Sequence, residues 1–431
     1  MEFTRTEIMP GVSLSHLRSD KFKTACVSVT LLAQLKRDTA SMNALIPFVL
    51  RRGTTQYGDM EQLAMRMDQL YGTAIEPVVR RVGEIQCIGF YGSFPESQFL
   101  PGKEPLLNQA TGLMGQLLLS PATRGGLLLP QYVDSEREKL IDLIQSQLND
   151  KRGYAAFRCI EELCCCEDFA VSRFGDCEQA GSINYKKLTK HYRSLLQSCP
   201  VELFYCGRAP AEQVITAMRD ALAAMPRGEI DYDLGTDIRM NALEDHVRYV
   251  EQSMDVTQAK LVMGFRMGEC MEEPDVAALN VFSAVYGSGA TSKLFMNVRE
   301  KLSLCYYASS TVYIHKGIML VQSGVDFDKL DMAREEILAQ LECMRRGEIT
   351  DEELTAAKRG VASDLRAVMD SQGELEGFWL GQALDGLDYG PMELASLTEQ
   401  VTKQDIIDIA NSVEPDLVYV LKGGGEAENG D

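Results

Sequence analysis

Histidine is scarce in this sequence. Four occur in 431 residues, at His16, His191, His246 and His315, and none has a second histidine or a cysteine at metal-ligand spacing. No local stretch can therefore build a histidine metal centre, and each of the four reads alone as a surface or hydrogen-bonded structural residue. Positive charge is also short: 43 lysines and arginines stand against 63 acidic residues, for a formal net charge of −20. That balance excludes the phosphate-neutralising surface that nucleic acid or an anionic membrane requires. No run of about 18 apolar residues exists, and the opening MEFTRTEIMPGVSLSHLRSD holds no apolar stretch of signal-peptide length, so the expected location is cytoplasmic, without a membrane. A phosphate-cradling loop and a G-x-S-x-G elbow are missing, and Gly287 to Gly289 lacks the lysine a phosphate loop needs, which leaves little basis for an enzyme of another class.

What remains is ordinary globular material in quantity. Hydrophobic residues make up 45% and charged residues 25%, and the length suits two or more compact units. Twelve cysteines are irregularly spaced, several inside apolar patterns such as those around Cys87 and Cys206, which fits reduced thiols better than a disulfide framework. Cys164-Cys165-Cys166 lacks the C-x2-C spacing of zinc knuckles. Neighbouring helical residues point about 100° apart, so the run reads as a partly buried thiol-rich helix rather than three ligands of one metal.

The pattern along the chain repeats once. A hairpin-like region, Val12 to Leu32, leads to a helix at Ala40 to Leu50, a strand at Glu84 to Tyr91, and helices at Leu106 to Leu119 and Gln131 to Leu148. The second half gives a strand at Ala259 to Phe265, a helix at Val276 to Tyr286, alternating runs through Thr311 to Val325 and a helix from Phe327 to Cys343. A capping box at Thr350 and Glu353 then opens a further helix to about Met369. Each half reads strand, helix, strands, helix, helix, which favours duplication. The expected domains are 1–223 and 246–422, joined by a linker over 224–245 that holds Pro226, Gly228 and Gly235. Residues 423–431 read as a disordered acidic tail.

The most specific segment is Tyr286 to Ser310, YGSGATSKLFMNVREKLSLCYYASS. A turn at Gly287, Ser288 and Gly289 opens onto an amphipathic helix bearing Leu294, Phe295 and Val298, then Arg299 and, seven residues on, Tyr306. This segment resembles the insulinase and pitrilysin family of inverted-motif zinc peptidases, whose second half carries an Arg and a Tyr at this spacing after a G-x-G-x-x-S-x-L-F turn. The resemblance spans nearly the whole chain, through Asp255 to Ala259 with Gly264-Phe265, and through Phe174-Gly175, Leu188 to Leu196 and Val201 to Gly207. It implies an α+β fold of two homologous domains, each an antiparallel sheet backed by helices.

The same resemblance implies an H-x-x-E-H helix before a Gly-Thr exit, two histidines holding zinc and the glutamate activating water. Gly53-Thr54 is present, but Asn43-Ala44-Leu45-Ile46-Pro47-Phe48 precedes it, and no histidine or glutamate lies between Ala40 and Thr54. The family's third ligand, a glutamate seven residues after Glu136, falls on Leu143. The expectation is a chain without zinc or any other cofactor, inactive alone. Its partner would be a homologous subunit that bears the zinc, and its substrate a peptide or small protein. Arg299 and Tyr306 would serve that site in trans by stabilising the substrate carbonyl. Substrate-binding candidates are the turn Gly287, Ser288 and Gly289, and an edge strand at Thr73, Ala74, Ile75 and Glu76, where Pro77 removes one backbone donor. The alternative is a peptide-binding or scaffold protein of the same fold, as the core subunits of the respiratory bc1 complex resemble. Some zinc-less bacterial relatives carry a label associating them with modification of elongation factor P.

Overall fold

The computed structural model describes residues 2–268 and 273–423. Its strands are β1 (Glu2–Met9), β2 (Val12–Arg18), β3 (Thr24–Gln34), β4 (Ala74–Val82), β5 (Ile85–Pro95), β6 (Thr123–Arg124), β7 (Leu127–Leu128), β8 (Val201–Gly207), β9 (Arg248–Met254), β10 (Ala259–Arg266), β11 (Cys305–Tyr313), β12 (Ile318–Val325) and β13 (Glu414–Gly423). They divide between two compact units. The first comprises Met1–Gln145, Val171–Gly235 and Gln372–Leu384, and the second Ser146–Ala170, Thr236–Ser371 and Asp385–Asp431.

In the first unit the strand order is β1-β2-β8-β3-β5-β4, with β2 and β8 parallel and the other neighbours antiparallel. Along β3 the period of two sends Ala25, Val27, Val29 and Leu31 into a core shared with Leu45, Val49, Leu113 and Leu188. The opposite face of β3 carries Cys26, Ser28 and Thr30, which alternation alone would leave in solvent. All three are buried, because Gln372–Leu384 lies over them. Ser28 Oγ donates to Glu376 Oε1 at 2.9 Å, and Gln372 Nε2 donates to the carbonyls of Thr24 and Cys206 at 2.9 Å each. Phe3 stacks on Trp379 with centroids 3.4 Å apart.

The second unit repeats this sheet. Its order, β9-β13-β10-β12-β11, matches β2-β8-β3-β5-β4 strand for strand, down to the one parallel pair, here β9 with β13. Helices Glu273–Ser283 and Leu330–Arg345 pack on β11 and β10. Another face is covered by helix Lys151–Leu163, whose Ala155, Cys159, Ile160 and Leu163 meet Val262, Leu320, Tyr419 and Leu421. The capping box at Thr350 forms as expected: Glu353 N–H donates to Thr350 Oγ1 at 3.1 Å, and Thr350 N–H to Glu353 Oε2 at 2.8 Å.

Three sequence expectations meet a different geometry. Val12 to Leu32 is no hairpin, because β8 inserts between β2 and β3 and pairs with both. The hairpin joins β1 to β2 instead, through Gly11 at φ +65°. The contiguous halves 1–223 and 246–422 follow the chain, whereas the compact units trade the segments 146–170 and 372–384. The chain passes between the units five times, and one of these passages, Gly235–Thr236, falls inside the stretch read as a linker. The cysteine triplet is not helical: its helix ends at Leu163, and Glu167 N–H closes a turn onto Cys164 O at 2.8 Å. The tail expected over 423–431 lies outside the described residues from 424 onward.

Arg266 is fully buried and anchors the second unit. It donates to Glu167 Oε1 at 2.6 Å, to Asp416 Oδ2 at 3.1 Å and to Leu163 O at 2.7 Å. Arg248 adds a 2.8 Å bond to Asp416, and Lys316 Nζ lies 2.6 Å from Glu167. Burial alone would raise the Glu167 carboxyl, but Arg266 and Lys316 outweigh it and hold it below the ordinary range. A depressed folded-state value contributes stability that is present above the unfolded pKa and lost as pH falls through the folded one. Glu167→Gln should therefore lower the hydrogen-exchange protection of β10 and β13 at neutral pH by about 3–5 kcal/mol, because it removes the carboxylate that two buried cations share. The difference from wild type should shrink in acid, and a pH-independent difference would contradict this assignment.

Candidate functional site

The helix Ala40–Leu50 is apolar on nearly every side, and nine of its eleven residues are buried. Pro47 stands inside it and gives up one backbone donor. Its one amide side chain, Asn43, is part of a closed network. His191 Nε2–H donates to Asn43 Oδ1 at 2.5 Å, which fixes the tautomer, and Asn43 Nδ2 donates to Gln86 Oε1 at 2.8 Å. Gln86 Nε2 ends the chain on the carbonyls of Ala40, at 3.0 Å, and Arg173, at 2.6 Å. Burial holds the His191 imidazole below its usual pKa, with Asp38 opposing.

Just past this helix, two arginines diverge. Arg51 Nε donates to Ile75 O at 2.8 Å, and its Nη2 lies 3.8 Å from Glu76. Arg52 Nη1 donates to the buried Glu136 at 3.1 Å while its guanidinium sits 5.0 Å over the Tyr132 ring. Lys139 also binds Glu136, at 2.8 Å, whereas Leu143 on the same helix is exposed.

The Arg and Tyr of the second unit stand at an equivalent place. β11 is the edge strand there, as β4 is in the first unit. Cys305 pairs with Val325 and Tyr307 with Gly324, so Tyr306 is the extra residue of a β-bulge, turned outward at 59% exposure. Its hydroxyl donates to Asp326 Oδ1 at 3.0 Å, and that carboxylate raises the phenol's pKa. Arg299 lies in a π-helical stretch, Leu294–Lys301, near its end; its side chain is exposed, 4.8 Å over Phe295 and 3.5 Å from Glu300. Arg299 and Tyr306 each have other partners, and no direct bond joins them among the described residues.

A family model described as the Peptidase M16 inactive domain matches residues 182–361. A curated relative, the "Probable inactive metalloprotease YmfF" of Bacillus subtilis, is 31% identical over 415 residues, covering 96% of each chain. The chain belongs to the M16 peptidase family. It is an inactive homologue, and this is the insulinase and pitrilysin type that its sequence resembles. The fold agrees with a conserved protein of Enterococcus faecalis, at TM-score 0.88 and 23% identity over 99% of this chain and 100% of that one. It agrees too with a peptidase M16 inactive domain of Pseudomonas fluorescens, at TM-score 0.79 and 13% identity over 99% of each.

The donor set of this M16 chain does not fit the family's zinc. Asn43 spends its amide on His191 and Gln86, the rest of the helix face is packed, and the third position is an exposed leucine. Glu136 survives, but Arg52 and Lys139 claim it.

The remaining candidates fall in two places. Thr73 is buried and bonds Leu70 O at 2.8 Å, and Ile75 is buried. Ala74 and Glu76 are exposed along the β4 edge, where Arg51 already engages Ile75 O. In the glycine turn, Gly287 is buried, and a Cβ there would come within 2.7 Å of Ser310 Oγ and Leu294 Cδ1, which explains the glycine by packing. Ser288 is exposed and Gly289 half-buried. Sequence reading missed the Asn43–Gln86–His191 network, whose members are 43 and 105 residues apart along the chain, as 86 − 43 and 191 − 86, and whose only local signal was a polar residue inside an apolar helix.

Asn43→Leu should destabilise the first unit by roughly 1–3 kcal/mol for each buried group it leaves unpaired, read from urea denaturation. Because the folded-state pKa of His191 is depressed, stability should fall as pH drops below about 6.5. His191→Gln should flatten that slope, and an unchanged slope would assign the acid sensitivity elsewhere.

Proposed function

We propose that this chain is the zinc-less subunit of a heterodimeric cytoplasmic metallopeptidase and lends Arg299 and Tyr306 to a zinc-bearing homologue that cleaves peptides or small proteins. The observation that carries this reading is the bulge at Tyr306. A bulge costs a ladder hydrogen bond, and here its effect is to aim a phenol outward from an edge strand while Arg299 stays exposed nearby in sequence. Both groups suit the charge that develops on a scissile carbonyl: the guanidinium is a fixed cation, and the raised phenol keeps its proton and can donate it in a hydrogen bond. To serve in that way Tyr306 has to leave Asp326. The β4 edge, from Ala74 to Glu76, would receive the peptide main chain, with the Ile75 carbonyl excluded by Arg51.

A second reading is favoured by the Tyr306–Asp326 bond itself. If that bond is permanent, the pair is structural, and the chain is a peptide-binding or scaffold protein with no part in cleavage. One experiment separates the two. The chain alone should cleave no peptide, and mixing it with an H-x-x-E-H homologue from the same cell should restore cleavage. In that complex Arg299→Ala and Tyr306→Phe should each lower kcat/KM by about 10²–10³-fold, the range for loss of one oxyanion donor. Full activity of both variants in an assembled complex would leave the scaffold reading standing.

A further inference from the structure

The cysteine triplet is unused by any role above, and its geometry is specific. Cys164 is buried at the end of helix Lys151–Leu163, whereas Cys165 and Cys166 are exposed. These two are the central residues of the turn that Glu167 N–H closes onto Cys164 O, so the 100° divergence of helical neighbours does not apply to them. Their sulfurs lie 3.8 Å apart. Two metal–thiolate bonds of about 2.3 Å at a tetrahedral angle span about 3.8 Å, so the pair already holds the bite of one tetrahedral ion.

We propose that Cys165 and Cys166 form a two-thiolate site for a thiophilic divalent cation of the zinc and cadmium class. Among the described residues no group of three or more His, Cys, Asp or Glu could hold a metal ion, so the chain supplies two ligands and the other positions stay open to water or an outside donor. Binding releases the two thiol protons as the sulfurs take up the cation. Burial and the neighbouring Cys166 sulfur raise the Cys165 thiol above its ordinary value while the Arg248 guanidinium opposes them, so the cation itself has to draw off the proton. The turn runs directly into Glu167, which holds Arg266 and Lys316, so an ion on the two sulfurs would brace the segment that carries the buried ion cluster. The site is independent of the proposed peptidase role and of the lost zinc position.

Cadmium ion is the probe, added to the full-length chain after reduction with a phosphine. The expected result is one equivalent bound with a sulfur-to-cadmium charge-transfer band and two protons released. Cys165→Ser and Cys166→Ser should each weaken binding at least about tenfold, since even outer-shell partners of a metal are worth that much, and Cys177→Ser should leave it unchanged. A band that survives in the Cys165→Ser/Cys166→Ser double variant would overturn the proposal by placing the ion on other thiols, the buried Cys26 and Cys206 being the facing pair across β3 and β8. Absence of binding by the reduced wild-type chain would also overturn it.

Discussion

Both sheets bury two faces, and the rest of the structure answers to that constraint. A strand that alternates apolar and polar residues is ordinarily half wet, yet Cys26, Ser28 and Thr30 of β3 are as buried as Val27 and Val29. Covering that second face takes a helix whose own polar groups match, and Gln372–Leu384 supplies it: Glu376 meets Ser28, and Gln372 caps the carbonyls of Thr24 and Cys206. In the second unit the corresponding cover is Lys151–Leu163, and its end is fixed by Arg266 through the Leu163 carbonyl and Glu167. Burial of so many polar atoms is tolerable because each of these has a partner. The covers come from the far side of the chain's midpoint, so neither sheet is complete from contiguous sequence.

Duplication gives the molecule two equivalent edges, β4 and β11, each at the same position in a sheet of the same order. The copies have diverged in opposite ways. Beside β4 the metal-binding chemistry has gone and its place has been packed and hydrogen-bonded shut, with Asn43 tied to His191 and Gln86, and Glu136 neutralised by Arg52 and Lys139. Beside β11 the polar groups remain at the surface. Arg299 and Tyr306 are exposed, and their partners, Glu300 and Asp326, are themselves surface carboxylates. Packing fills the first place, whereas Arg299 and Tyr306 keep their side chains in solvent.

Elements governed by local chemistry were legible in the sequence. Thr350 and Glu353 announce a helix start because the capping box closes within four residues, and the apolar run Ala40 to Leu50 marks a helix through its length. The Tyr286 to Ser310 segment was specific enough to indicate a family, and the family indicated the two-sheet fold. Local reading failed where a distant segment intervenes. Nothing near Val12 to Leu32 indicates that β8, far along the chain, separates β2 from β3. The helical periodicity assumed for Cys164 to Cys166 ignored the stop at Leu163, and with the turn the relation between two sulfurs changed from divergent to convergent.

The sequence by itself determined that no family zinc centre can be assembled here, because the stretch before Gly53-Thr54 holds no histidine or glutamate and Leu143 stands at the third position. Ligand chemistry is a property of residue type, and no folding can add a missing donor. Tertiary structure alone decided what replaced the metal, which residues the two units exchange, and that Tyr306 is a bulge residue facing outward. Those outcomes depend on hydrogen bonds and burial between residues 20 to 348 positions apart, such as Tyr306 with Asp326 and Ser28 with Glu376, and a side chain's partners across that distance are set by the fold rather than by its neighbours in sequence.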